Sequence, residues 1–499
     1  MSDSLAAAIA ANRFGLGARP GELARIAGDP QGALAAQLEG AAPLLSAPGL
    51  TDSATALEQA QALRHDRRQQ RRPERGFFGR RRGPAAGEGA PADAAPPPVD
   101  VVAAAMKIGQ LYRPMYVADA GARLRAAVAS DRPLTERLVH FWANHFAISV
   151  DKGVVLGLAG SFEREAIRPN VLGRFGDLLR SVEQHPAMLL YLDNAQSVGP
   201  ASQAAVRIGL RGARAKSTGG GLAGTGRSIG LNENLAREIM ELHTLGVDGG
   251  YSQADVTEFA RAITGWSIGG GQGRFAGGEP GRFYFRAGIH EPGARTIMGR
   301  RYSEGGLDQG IAVLDALARS PATAHHIATQ LARHFVGDEP AAALVERVAR
   351  AFERSEGDLP TVYRALIESP EAWAQPLAKY KTPADFIHSA WRAVDLPVPE
   401  GPRALAPFEL LGQRTWQPGS PAGWPDRAAD WDGPSALLKR VEWADQVGQR
   451  VGAQRNAQQL GPDVLGATLG ARTREAVARA DGPAQALTLL LASPEFLRR

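Results

Sequence analysis

None of the 499 positions is a cysteine. Disulfides, thiolate metal sites and cysteine nucleophiles are therefore excluded, while the redox compartment stays open. No run approaches the roughly 18 apolar residues of a membrane-spanning helix, so no transmembrane segment is expected. The start, MSDSLAAAIAANRFGLG, lacks a positive n-region and a full apolar h-region, and no signal peptide is read there. The Gly-rich run Ser217–Ser228 (STGGGLAGTGRS) lacks a Walker lysine and gives no ground for a phosphate cradle. Asp248-Gly-Gly-Tyr lacks the alternating acids of a calcium loop.

Arginine far outnumbers lysine, and the net charge is +5. Much of the excess sits in Arg67–Arg82 (RRQQRRPERGFFGRRR). A basic block can meet an anionic polymer, but no nucleic-acid motif accompanies it, so nucleic acid is not the expected partner. It opens a Pro/Ala-rich linker over residues 64–100, between an N-terminal helical segment, 1–63, and a main helical domain, 101–499. Apolar periodicity makes the fold mainly α, a large multi-helix bundle-like domain with a small β-hairpin insert at about 270–302. Arg282–Phe285 and Thr296–Gly299 are its expected strands. A Trp/Pro-rich loop, 412–432, is placed to cap the core or cover a pocket.

The densest polar stretch is Gly230–Trp266. On a helical wheel Leu231, Leu235, Ile239 and Leu242 form a core stripe. Asn234, Arg237, Glu238 and Glu241 share another arc at i, i+3, i+4, i+7, and Glu233 can pair with Arg237. His243 projects away from the two glutamates. Ser252 with Asp255 predicts a capping box for the next helix, which ends before Trp266.

Leu134–Ile148 predicts an amphipathic helix with His145 on its apolar face and Arg137, His140 and Asn144 on another. The two histidines, five apart, cannot share a metal from a regular helix. Glu165 and Arg168 can pair at i, i+3. His185-Pro186 restarts a helix that ends at Asp193-Asn194, where the polar residues read equally as caps.

The motifs at Arg13–Ala18, His140–Ser149 (HFWANHFAIS), Arg168–Asn194, Asn232–Trp266, Tyr302–Gly310 and Gly412–Trp431 together resemble the bacterial family catalogued as domain of unknown function 1800. The resemblance implies a setting outside the cytoplasm, since members are often exported. It also implies a partner from a sulfatase/phosphatase-like family, domain of unknown function 1501. The absence of a clear export signal here leaves localisation open.

The leading expectation is a hydrolase with a carboxylate/His site, with or without a divalent metal, acting on a glycan or anionic polymer. Glu238, Glu241, His145 and Asp193 are its candidate catalytic residues, because close carboxylates and histidines can divide acid and base roles. Arg237, Asn234, Arg168, Glu165, His185 and Trp266 are candidate binding residues. The alternative is a non-catalytic binding or scaffold protein whose polar helices fix packing.

Overall fold

The computed structural model describes residues 2–70, 99–207, 230–271, 276–374 and 377–499, with the side chains of 64–70 and 99–105 outside that description. Most of the expected basic linker and the Gly-rich run before the Gly230–Trp266 stretch lie outside the described residues.

Among the described residues the chain is mainly helical, with two small two-stranded antiparallel sheets. The helices include α1 (Asp3–Ile9), α2 (Val99–Ala129), α3 (Pro133–His145), α4 (Phe175–Glu183), α5 (Gln253–Ala262), α6 (Pro321–Phe335), α7 (Pro383–Val394) and α8 (Pro434–Val451). Local chemistry sets their starts. Proline occupies the first turn of α3, α6, α7 and α8, where its missing N–H costs nothing. Ser252 and Asp255 form the expected capping box on α5, and Thr382 and Asp385 form another on α7. Among the described residues no helix is long and apolar enough to cross a membrane.

Apolar side chains segregate into two cores. The first collects α3 through Leu138, Phe141 and Trp142, α4 through Leu178 and Leu179, and α6 through Ile327, Leu331 and Phe335. The second is built on α7 and α8 through Phe386, Trp391, Trp443 and Val447. The N-terminal helix lies between them: Ile9 and Phe14 enter the first core, while Ala7, Ala8 and Ala11 enter the second. Gly17 continues this wedge at φ +92°, and a Cβ there would stand 2.6 Å from Ser389 Cβ on α7. Only glycine combines that backbone with that approach.

The cores are joined by buried charge. Asp385, at the start of α7, accepts from Arg137 Nη2 on α3 at 3.0 Å and from Arg499 Nε at 2.9 Å. Arg137 and Arg499 are almost fully buried. Arg499 also donates to the His334 carbonyl at 2.6 Å. Burial alone would raise the Asp385 carboxyl pKa, but the two guanidiniums hold it far below the usual carboxylate range.

Two local expectations are corrected. The strands expected to pair with each other belong to separate hairpins: β1 (Trp266–Ile268) pairs with β2 (Phe283–Phe285), and β3 (Arg295–Ile297) with β4 (Arg300–Tyr302). Met298 and Gly299, both at positive φ, make the tight turn that brings β4 back on β3. Glu165 and Arg168 do not pair. Glu163–Ile167 is a π-helical turn, so Arg168 meets Glu163 at i, i+5, with Nε to Oε1 at 3.1 Å.

Asp385→Asn removes one charge from a buried Arg–Asp–Arg set and leaves two guanidiniums without their shared anion. We expect a loss of about 3–5 kcal/mol, read as a lower urea midpoint by circular dichroism.

Candidate functional site

The two cores meet along a cleft made of two adjoining cavities. The smaller, about 90 Å³, lies between α3 and α7 and is lined by His140, Asn144, Asp385, His388 and Trp416. The larger, about 260 Å³, lies between α3 and α6 and is lined by His145, His326, Gln330, Arg333 and Trp424. His334, Asn144 and Asp426 belong to both.

The Trp/Pro-rich loop covers the cleft, and one amide anchors it. Asn144 Nδ2 donates to the Trp424 carbonyl at 2.9 Å, and Trp424 N–H donates to Asn144 Oδ1 at 2.8 Å. Gly423, at φ +81°, lets the loop come this close: a Cβ would lie 2.3 Å from the Asn144 carbonyl oxygen. Trp416 is buried and donates its indole N–H to Glu163 at 3.3 Å.

His334 and Asp426 form the central pair. His334 Nδ1 lies 3.1 Å from Asp426 Oδ2. A carboxylate only accepts, so the proton sits on Nδ1 and Nε2 carries the lone pair. That Nε2 is buried and has no hydrogen-bond partner among the described residues. Burial lowers the His334 pKa to about 4 against the pull of Asp426, so the ring is neutral near pH 7. Burial would raise the Asp426 carboxyl, yet His334, Lys379 and Arg499 hold it below its ordinary value. Lys379 Nζ approaches Asp426 Oδ1 at 3.3 Å and Asp338 at 3.0 Å.

Two more neutral histidines face the smaller cavity. The rings of His140 and His388 lie 4.8 Å apart. His140 Nε2 and both ring nitrogens of His388 are buried without hydrogen-bond partners. Burial pushes both pKa values down, that of His388 to about 3.

The expected site residues are distributed over the first core. His145 alone lines the cleft; its Nε2 donates to the His243 carbonyl at 3.2 Å. Glu238 and Glu241 are half-buried on the continuous Asn234–His243 helix, which turns π-helical from Ile239. Burial raises the Glu238 pKa, with His243 and Glu241 acting on it electrostatically. Arg237 makes the expected pair with Glu233 at 3.3 Å, and Asn234 is exposed. His243 is buried and donates from Nδ1 to Glu183 on α4 at 2.7 Å. Asp193 is exposed, at φ 60°, and pairs with Lys152 at 2.7 Å. Glu165 accepts from Ser53 N–H at 2.8 Å and from His185 Nε2 at 3.2 Å, which caps the helix starting at Ser53. Arg168 is buried against Glu136 and Glu163. Trp266 is wholly buried core. His290-Glu291 is a structural turn, with Glu291 accepting from Ala201 N–H at 2.7 Å.

The motifs of α3, of Gly230–Trp266 and of the Trp loop thus sit around one cleft and its neighbouring helices, and a family profile matches residues 9–498 in a single span. The chain belongs to the DUF1800 family. The family is described only as a protein of unknown function, so DUF1800 membership carries no activity with it. Comparison with curated proteins and with solved structures returns no match. In this DUF1800 chain, no three His, Cys, Asp or Glu side chains among the described residues stand together as a metal-ligand set.

Reading residues one helix at a time missed His334, Asp426, His388 and Asp385. They come from three separate segments, and α6 carries His326 and His334 two turns apart, a spacing that rules out a shared metal but not a shared cavity wall. The usable signal was the loop itself: three tryptophans, one directly before Pro425-Asp426, in an irregular segment.

Lys381, just before α7, is the most displaced cation beside the cleft. It donates to Ser389 Oγ at 3.1 Å and is 1% exposed. Burial lowers its pKa from 10.5 to about 7; Asp385 opposes this, while Arg137, Arg499 and Arg440 reinforce it. Between about pH 7 and 10.5 the unfolded chain therefore holds a proton that the folded chain has released. Stability contributed by this site rises with pH across that window and is flat below it. Thermal melts at pH 7, 8 and 9 should show a shallower rise for Lys381→Met than for the parent.

Proposed function

We propose that the cleft is the active site of a hydrolase and that His334 is its general base, oriented by Asp426. The observation that carries this reading is the buried, unpaired Nε2 of a neutral imidazole that lines the cleft and whose other nitrogen is fixed on a carboxylate. A water at Nε2 gives its proton to the ring and adds to an electrophilic carbonyl carbon. The imidazolium so formed is stabilised by Asp426 and returns the proton to the departing oxygen or nitrogen as its bond to the carbonyl carbon breaks. Arg333, on the same wall, is placed to offset the negative charge that develops on the carbonyl oxygen.

A single His–Asp pair suits acyl transfer to water better than glycosidic cleavage. The latter needs two carboxyls with separate acid and base roles, and Asp385 is already committed to Arg137 and Arg499. The partly exposed Trp424, with Gln413 on the same cleft wall, supports a substrate of glycan type bearing the acyl group. The divalent metal allowed by the sequence is not part of this reading, which rests on the histidine and the carboxylate alone.

The second reading is a non-catalytic scaffold working with a sulfatase/phosphatase-like partner, as the family resemblance implies. It is favoured by the seam, where Arg137, Asp385 and Arg499 are ion-paired and buried, as in a packing network. Co-purification with such a partner, in a stable complex unaffected by His334→Gln, would support it.

The hydrolase reading is tested on aryl esters and acylated polysaccharides. Turnover should fall about 10²–10⁴-fold in His334→Gln and in Asp426→Asn, with the fold intact by circular dichroism. Turnover that survives both changes but disappears in Glu238→Gln or Glu241→Gln would place the reaction on the glutamate stripe instead.

A further inference from the structure

A second pocket lies in the C-terminal core, apart from the cleft. It has a volume of about 150 Å³ and is enclosed by Trp391 of α7, Trp443 and Val447 of α8, and Pro407 and Leu410 of the short helix Ala406–Leu410. Most of the wall is apolar, and both tryptophans are 4% exposed. A cavity of about this size holds one benzene-sized ring.

Three polar groups belong to residues that line this space. The Trp391 indole Nε1 is buried and has no hydrogen-bond partner. An indole nitrogen can only donate, so the group that satisfies it must be an acceptor. Arg403 and Arg450 belong to the lining and are exposed residues, and neither has an ion-pair partner among the described residues. Among the described residues no acidic side chain lines the pocket, and Gln446 is the remaining polar wall. An apolar box with two guanidiniums, one orphan donor and no carboxylate selects an apolar body bearing an anionic acceptor.

We propose that this pocket binds a small aryl carboxylate. Its ring lies between Trp391, Trp443 and Pro407, and its carboxylate meets Arg403 and Arg450, with one oxygen accepting from Trp391 Nε1. Guanidinium and carboxylate match in plane and in number of donors, so an acid is preferred over a neutral ligand of the same shape. The site is separate from the general-base reading and stands whether or not that reading holds. The two are neighbours, however. Trp391 follows His388 by three residues on α7, and Phe408 of the short helix packs on His388 at 5.8 Å while Pro407 and Leu410 face the pocket.

The test titrates the full chain with phenylacetate and with its neutral isostere phenylacetamide, by calorimetry and by the indole ¹H–¹⁵N spectrum. Trp391→Phe keeps the aromatic wall, removes the donor and assigns the Trp391 indole signal. Arg403→Gln with Arg450→Gln changes only exposed side chains and should leave the melting temperature unchanged. The expected result is saturable phenylacetate binding that shifts the assigned indole signal. Phenylacetamide should bind at least tenfold more weakly, and each variant should weaken phenylacetate by a similar factor. No saturable binding, equal affinity for acid and amide, or affinity unchanged in the double arginine variant would overturn the proposal.

Discussion

One carboxylate, that of Asp385, bridges two guanidiniums that come from distant parts of the chain. Arg137 belongs to α3 and the first core; Arg499 reaches in beside α6 and also holds the His334 carbonyl. Removing the carboxylate strands two buried guanidiniums, so this contact ties the two cores together at one separation. That separation sets the cleft. It places His140 against His388 across the gap and puts His334 where Asp426 can reach it. Paired charges in the seam and unpaired imidazole nitrogens in the cavity are two sides of the same arrangement.

The electrostatics follow from burial rather than from local charge. His140, His334 and His388 are all held neutral by desolvation. Neutral rings can both donate and accept, whereas cationic rings only donate. Asp426 stays ionised because a lysine, an arginine and a histidine surround it. A proton acceptor fixed by an anion in a partly dry cleft is the arrangement that general-base chemistry needs, and Asn144 with Gly423 keeps the covering loop in place above it.

Much of the fold was legible in the sequence because its signals are local. Leu134, Leu138 and Trp142 repeat at helical spacing, Ser252 and Asp255 cap within three residues, and Glu233 finds Arg237 one turn away. The resemblance to DUF1800 was legible from motifs spread over the chain, and the profile match confirms it. The site was less legible. His334, Asp385, His388 and Asp426 lie in three segments, so no window contains their chemistry. Glu165 and Arg168 were adjacent on a wheel of regular pitch, yet the π-helical turn at 163–167 sends them to different partners. Sequence periodicity assumes one pitch, and that assumption fails where the backbone adds a residue per turn.

Everything proposed for the cleft turns on His334 being a neutral base with its proton on Nδ1. Long-range ¹H–¹⁵N spectroscopy of the histidine rings, assigned by His334→Gln, measures this directly. The expected result is an Nδ1–H tautomer at pH 7 and a titration midpoint near 4. An Nε2–H tautomer, or a His334 ring already cationic at pH 6, would contradict it.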